Sequence, residues 1–440
     1  MPFIRVVNPD EIQRIMNISN RTLFLNHIAQ TSPAPIGLEI VRAEGVHMWD
    51  TEGKQYTDFI SGFSVMNLGH GQPKVKQAIQ QQVDQYMHLM VYGELIESPQ
   101  VQYAQRLSEY LPSSLDCIYF TNSGTEATEG AMKLAKRLTN RTRICAFNNA
   151  YHGSTQGALS IMGGEYWRNA YRPLLPDVVH LDYNNPNATE SITNETACVV
   201  MEVVQAEAGL HAALNGWMAA IRNKCTETGT LLIFDEIQTG FGRTGTLWAF
   251  ESLGVVPDIL LLGKALGGGL PLGAFISSHQ NMQALTNGPV LGHISTFAGH
   301  PVCCAAGLAS FDLLLETFGL TNAPKPDWEG KSPAPMIEVP VLTSVFEKEQ
   351  LLRTLLHHPA IHSVRSRGLL MAVRLPDADF CIQVCQLAVK AGVVTDWFLF
   401  APDCLRIAPP LIISETDLKH AVDILIEVID DVWQGRKVRG

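Results

Sequence analysis

Two charged side chains, Asp235 and Lys264, each follow a short run made only of apolar residues. Leu231-Leu232-Ile233-Phe234 leads into Asp235 and Glu236, and Ile259-Leu260-Leu261-Leu262 leads into Gly263 and Lys264. Apolar runs of this length, bounded by Gly and Asp, read as buried strands of a parallel sheet. In open α/β sheets ligands lie beyond the carboxyl ends of such strands. The pattern therefore sets one carboxylate and one amine at the mouth of a sheet. A lysine in a partly dry pocket can lose its charge and condense with an aldehyde cofactor such as pyridoxal phosphate. That cofactor withdraws electrons only while its pyridine nitrogen stays protonated, a task for an aspartate or arginine partner. The 264 − 235 = 29 positions between them allow one strand–crossover–strand return. On spacing alone, a strand-end acid and a surface lysine are the commoner explanation.

The elements that would position these groups alternate along the chain. Ile118-Tyr119-Phe120 reads as a strand and residues 121–127 as a turn, followed by Ala131, Leu134, Ala135 and Leu138 at helical spacing. A helix N-terminus presents unpaired N–H groups, glycine lets the backbone approach an anion, and hydroxyls add donors. Ser123, Gly124 and Thr125 thus form a candidate phosphate site, although a plain Ser/Thr cap explains them too. Strands are expected at 144–147, 197–204 and 369–374, with helices at 217–228, 347–357, 380–391 and 415–433. This alternation points to an α/β sheet with right-handed crossovers. Earlier, residues 46–50 and 54–59 alternate around Thr51-Glu52-Gly53, a hairpin signal. Residues 8–30 carry a helical pattern broken by Ser32-Pro33-Ala34-Pro35, and 74–111 are helical with an interruption near Tyr92-Gly93. Residues 321–341 hold five prolines and no apolar period, as a surface loop or linker would.

Composition narrows the function. The net charge of −11 argues against a nucleic-acid or anionic-membrane binder, which needs clustered cations. It leaves an anionic substrate open, because a local arginine or helix N-terminus overrides the global field. Nine cysteines without a CxxC pair or a metal-like cluster with histidine read as small buried hydrophobes in a reducing compartment. No metal site is expected. The first residues lack a signal-peptide apolar core and no apolar run reaches membrane-spanning length, so a cytoplasmic protein is expected.

DEIQTGFGRTG followed by PDILLLGKALGGGLPLGA resembles the signature of the class III, or ω-, aminotransferases, pyridoxal-phosphate enzymes of fold type I. The resemblance, most specific to ornithine- and acetylornithine-type members, implies a role for each matching residue. Lys264 would be the Schiff-base lysine and general acid/base, Asp235 the pyridinium partner, and Gln238 a donor near the phenolic oxygen. NSGTEA matches the phosphate cup, favouring Ser123, Gly124 and Thr125. In the triplet Tyr151-His152-Gly153 the aromatic ring would stack on the cofactor, gaining dispersion and a quadrupole term, with His152 beside it. Thr296, in GHISTFAGHP, would reach the phosphate of a neighbouring subunit, making a homodimer with composite sites. Glu207, in EVVQAEAG, would pair with Arg406 of RIAPPL, and Arg406 would hold a substrate carboxylate bidentately. Phe63, in SGFSVMNLGHGQP, would lie near the substrate, although a core aromatic fits as well.

The implied fold is a large, mostly parallel sheet domain over residues 75–320 and a small α+β domain from 1–74 and 342–440, with 321–341 as an insertion. The implied reaction is transamination between an ω-amino or amino acid donor, of ornithine or acetylornithine type, and a keto acid such as 2-oxoglutarate. Family relatives include aminomutases and racemases, which need no keto acid. A non-catalytic dinucleotide-binding α/β protein, with Gly267-Gly268-Gly269 as a phosphate loop, lacks the GxGxxG spacing. Four positions depart from the family pattern: Gln72, Val203, Ala206, and Ser154 where an arginine is common. With Ser154 there, the distal carboxylate of a substrate needs another partner.

Overall fold

The computed structural model describes residues 19–321, 323 and 342–437. The expected proline-rich insertion lies outside the described residues except for Thr321 and Ala323, as does the first part of the N-terminal helical pattern. Seven strands form the central sheet: β1 (Cys117–Thr121), β2 (Arg143–Phe147), β3 (Val178–Leu181), β4 (Thr196–Glu202), β5 (Leu231–Asp235), β6 (Ile259–Leu262) and β7 (Gly273–Ser277). Their spatial order is β1-β7-β6-β5-β4-β2-β3. Only β7 runs against its neighbours.

Side chains alternate across a strand, so an all-apolar strand must be covered on both faces. Ile233 of β5 joins one buried cluster with Ala131, Leu134 and Ala135 of helix α1 (Gly124–Thr139). Its neighbours Leu232 and Phe234 join a second cluster on the other face, with Met218 and Ile221 of helix α2 (Asn215–Thr228). Each of the Leu, Ile, Phe and Met side chains contributes roughly 1.5–3 kcal/mol on burial. Parallel pairing brings Asp235 level with Glu202 of β4 and with Leu261 of β6. The apolar ladder thus delivers two carboxylates to one sheet edge.

Strands β3 and β7 are not among the sequence expectations. Strand β7 follows Gly267-Gly268-Gly269 and Pro271, which look like a loop. Gly273 is required where it stands, because a Cβ there would sit 2.2 Å from the Ser123 carbonyl oxygen. Between Asp235 and Lys264 the crossover contains a 3₁₀ turn, Ala249–Leu253, and no α-helix.

Two smaller sheets tie the chain ends together. Ile40–Glu44, His47–Asp50 and Gln55–Asp58 form an antiparallel meander that Val393–Val394 joins in parallel. Ser363–Arg367, Leu370–Arg374, Ala401–Ile407 and Trp397–Phe398 make the second. The fully buried Arg243 links both regions to the central sheet. It donates to the carbonyls of Leu369 at 2.8 Å and Pro409 at 2.6 Å, to Ser61 Oγ at 2.9 Å and to Asn67 Oδ1 at 2.6 Å. Ser61 opens a turn in which Ser61, Gly62, Phe63 and Ser64 all have left-handed backbone, with φ of 43°, 58°, 61° and 64°. The Asp58 carboxylate holds its entry by accepting the backbone N–H groups of Ile60 and Ser61 at 2.9 and 2.7 Å.

All nine cysteines are free thiols and eight are buried. Among the described residues no helix is long and apolar enough to cross a membrane.

Candidate active site

Strand β6 ends at Leu262, and the chain turns through Gly263 into Lys264, whose φ is +47°. A non-glycine residue in this region is strained and persists only where its surroundings fix it. Here they do. Burial pushes the Lys264 amine down to about 8, with Glu207 and Asp235 pulling it back up and Arg406 adding to the depression. Nζ donates to Gln238 Oε1 at 3.0 Å. Close to neutrality this amine can therefore exchange a proton.

Asp235 ends β5 and is 4% exposed. Its Oδ2 lies 2.7 Å from His152 Nδ1 and its Oδ1 accepts the Ile237 N–H at 2.9 Å. Burial, reinforced by Asp235, pushes the neighbouring Glu202 carboxyl well above the ordinary carboxylate range. Glu202 accepts the N–H groups of Tyr151 and Ala206, each at 3.3 Å.

One cavity of about 310 Å³ gathers Gly124, Thr125, Tyr151, His152, Asp235, Gln238 and Lys264. Helix α1 starts on its wall. Ser123 does not line the cavity; its hydroxyl accepts the Glu126 N–H at 3.4 Å as the helix cap. Thr125 Oγ1 bonds Thr155 Oγ1 at 2.7 Å, and a Cβ on Gly153 would come within 2.2 Å of that same oxygen. The Tyr151 hydroxyl meets Ser154 Oγ at 3.2 Å. Thr296 is exposed and outside the cavity, but its neighbour Ser295 accepts from Asn122 Nδ2 at 2.8 Å, beside the cap residue.

The cavity suits pyridoxal phosphate. Gln238 Nε2 and His152 Nε2 are buried without a hydrogen-bond partner, an arrangement that is costly unless a ligand completes it. A buried carboxylate, an amine of lowered pKa and a helix N-terminus surround the same space, matching a protonated ring nitrogen, an aldehyde and a phosphate.

A second cluster lies within electrostatic reach of Lys264. Arg406 is 2% exposed and donates end-on to Glu207, Nη1 to Oε1 at 2.8 Å and Nη2 to Oε2 at 2.9 Å. Its Nε donates to Asp396 Oδ1 at 2.8 Å, and its Cζ stands 4.3 Å from the Phe398 ring centre and 5.3 Å from that of Phe63. Burial raises the Glu207 pKa, but Arg406 outweighs it and holds this carboxyl below its ordinary value. Burial wins at Asp396, which rises to about 6. Glu207 meets the guanidinium through two hydrogen bonds and Asp396 through one.

Sequence reasoning missed Glu202, Ile237 and Asp396. Glu202 was legible as the one acid inside the apolar 197–204 run, and Ile237 lies between two residues already singled out. Nothing in the sequence marks Asp396. It reaches Arg406 because the Ala401–Ile407 strand folds back beside Trp397–Phe398.

The family model "Aminotransferase class-III" matches residues 28–429. An acetylornithine aminotransferase of Methanopyrus kandleri is 36% identical over 407 residues, which is 92% of this chain and 96% of the relative. One from Streptomyces coelicolor is 36% identical over 89% of this chain and 91% of its own length. Among solved structures, the ornithine aminotransferase of Toxoplasma gondii ME49 superposes with a TM-score of 0.82 at 26% identity, covering 98% of this chain and 100% of that one. An (S)-enantioselective omega-transaminase from Thermomicrobium roseum gives 0.80 at 28% identity, with 93% and 97% covered. The fold is that of the fold type I pyridoxal-phosphate transferases, and the chain belongs to the class III aminotransferases, enzymes that work with pyridoxal phosphate.

Proposed function

We propose that this aminotransferase moves an amino group between an ω-amino or amino acid donor, of the ornithine or acetylornithine kind, and 2-oxoglutarate, with glutamate as the shared couple. The observation that carries the reading is the end-on Glu207–Arg406 pair near Lys264. A carboxylate already seated on that fork is the shape of what would replace it. With Glu207 in place Arg406 is masked, which suits a side-chain amine. With Glu207 turned away Arg406 can take the carboxylate of glutamate.

Lys264 moves the proton on the substrate carbon, its lowered pKa letting Nζ serve as base and then as acid. Asp235 supplies the negative charge that keeps a ring nitrogen protonated, and His152 holds that carboxylate in place. Gln238 would offer its unpartnered Nε2 to a phenolic oxygen, while Gly124 and Thr125 on the cavity wall, with Ser123 beside them, would hold the phosphate. Bound there, pyridoxal phosphate supplies the electron sink that makes the α-proton acidic.

The reading includes a homodimer in which Thr296 completes the partner's phosphate site. Its support is the position of Thr296 among exposed apolar side chains, Phe297 at 55%, Ile294 at 51% and Val290 at 70% exposed. Product analysis with an amine donor, with and without 2-oxoglutarate, tests the reaction class. Turnover that proceeds unchanged without a keto acid would show an isomerase instead.

A further inference from the structure

We propose that Asp396 is the positioning residue for the substrate carboxylate, holding one edge of the Arg406 guanidinium so that the other edge stays in place when Glu207 leaves. The inference rests on the Glu207–Arg406 exchange described above.

A guanidinium offers a side edge and an end, and here each meets a different acid. The end carries Glu207 through Nη1 and Nη2, and the side carries Asp396 through Nε. The two acids are anchored differently. Asp396 lies only ten residues from Arg406, and its backbone carbonyl also accepts the Arg406 N–H at 2.8 Å. The two residues are therefore fixed by one local strand pairing, which swinging a side chain does not disturb. Glu207 is 199 residues away; its backbone carbonyl accepts the Phe400 N–H at 2.9 Å, while its carboxylate accepts the Leu399 N–H at 3.0 Å as well as the guanidinium. A rotation of its side chain breaks all three bonds together.

A guanidinium 2% exposed is costly to leave with its N–H groups unpaired, because water cannot take the place of a departed acceptor. If Glu207 were the sole acid, each opening would strand Arg406 on the Trp397 carbonyl, 3.1 Å from Nη2, with its fork free to tilt. Asp396 removes that interval. It also gives Arg406 a partner when a donor without a carboxylate at this position is bound. The Phe398 ring, 4.3 Å away, restricts tilting of the plane but cannot fix rotation within it. The in-plane constraint comes from Nε–Asp396.

The test uses the purified holoenzyme and two half-reactions, one with L-glutamate and one with a carboxylate-free monoamine such as n-butylamine. Asp396→Ala is expected to raise KM for glutamate about tenfold or more, the scale of a lost charged hydrogen bond, while the monoamine reaction moves less than about threefold. Asp396→Asn, which keeps an oxygen for Nε, is expected to recover most of that loss. Parallel losses for glutamate and monoamine would overturn the proposal in favour of a structural role, as would Ala and Asn variants equally impaired toward glutamate. Arg406→Ala serves as the control. If it leaves glutamate untouched, the exchange reading itself falls; if it impairs glutamate and Asp396→Ala does not, only the role of Asp396 falls.

Discussion

Arg243 and Arg406 are both buried guanidiniums, and the molecule holds them in opposite ways. Arg243 donates only to neutral oxygens: two carbonyls, a hydroxyl and an amide. Burial pushes its pKa down to about 9, and only the more distant Asp58 opposes it. Arg406 is buried almost as deeply, yet Glu207 and Asp396 outweigh that and raise its pKa. The carbonyls of Leu369 and Pro409 cannot leave Arg243 without moving the backbone. On the proposed exchange, the Glu207 carboxylate leaves Arg406 by side-chain rotation and a substrate carboxylate replaces it. Backbone carbonyls clamp Arg243, whereas the partner that the proposed exchange replaces at Arg406 is one side-chain carboxylate, Glu207.

Lys264 is a cation with neither arrangement, and removing it should have the largest effect. Lys264→Ala is expected to lower kcat about 10²–10⁴-fold, as loss of a general acid/base does; retention of full turnover would end the assignment. The two arginines then separate by readout. Arg406→Ala should raise KM for glutamate by about 10²-fold, the range for truncating a buried charge pair. Arg243→Ala should destabilise the fold by about 3 kcal/mol or more, since it orphans several buried acceptors. Thermal melts and glutamate kinetics on both variants break the comparison if the arginines exchange roles.

A subtler effect concerns proton linkage. The Lys264 pKa is near 8 in the folded chain against an ordinary 10.5, so between these values the unfolded chain binds more protons and stability rises with pH. Below about 8 the buried charge counts against the fold. Cofactor-free protein compared with its Lys264→Met variant from pH 7 to 10 should show this gain in the parent alone; parallel curves would contradict it. The smallest change is Phe63→Leu, expected to weaken glutamate use only about two- to fivefold through loss of the ring beside Arg406.

Much of this was legible beforehand. The runs 231–234 and 259–262 are apolar at every position and buried in all but Leu231, so they announce buried strands that lead to Asp235 and Lys264. Tyr151, His152 and Gln238 were readable from their motifs. Gly273–Ser277 was not, since glycine and proline ahead of it imitate a loop while close backbone approach is what selects them. Asp396 was hidden for another reason. Its role depends on strand pairing, and neither composition nor period encodes which acid a folded-back strand sets against Arg406. Ser123 reads both as a phosphate ligand and as a helix cap, and its hydroxyl does cap the Gly124–Thr139 helix.

The left-handed turn that brings Phe63 beside Arg406 bears on how this enzyme could be redesigned. Phe63 is exposed and close to the proposed substrate carboxylate, so it invites saturation libraries aimed at donor scope. Its φ of +61° suits glycine and asparagine but penalises valine, isoleucine and threonine regardless of the shape they offer. Failures of β-branched variants at 63 would therefore record the turn rather than the substrate. Position 154 lacks this bias, since Ser154 is not among the residues with positive φ. A library placed there separates selectivity from backbone cost.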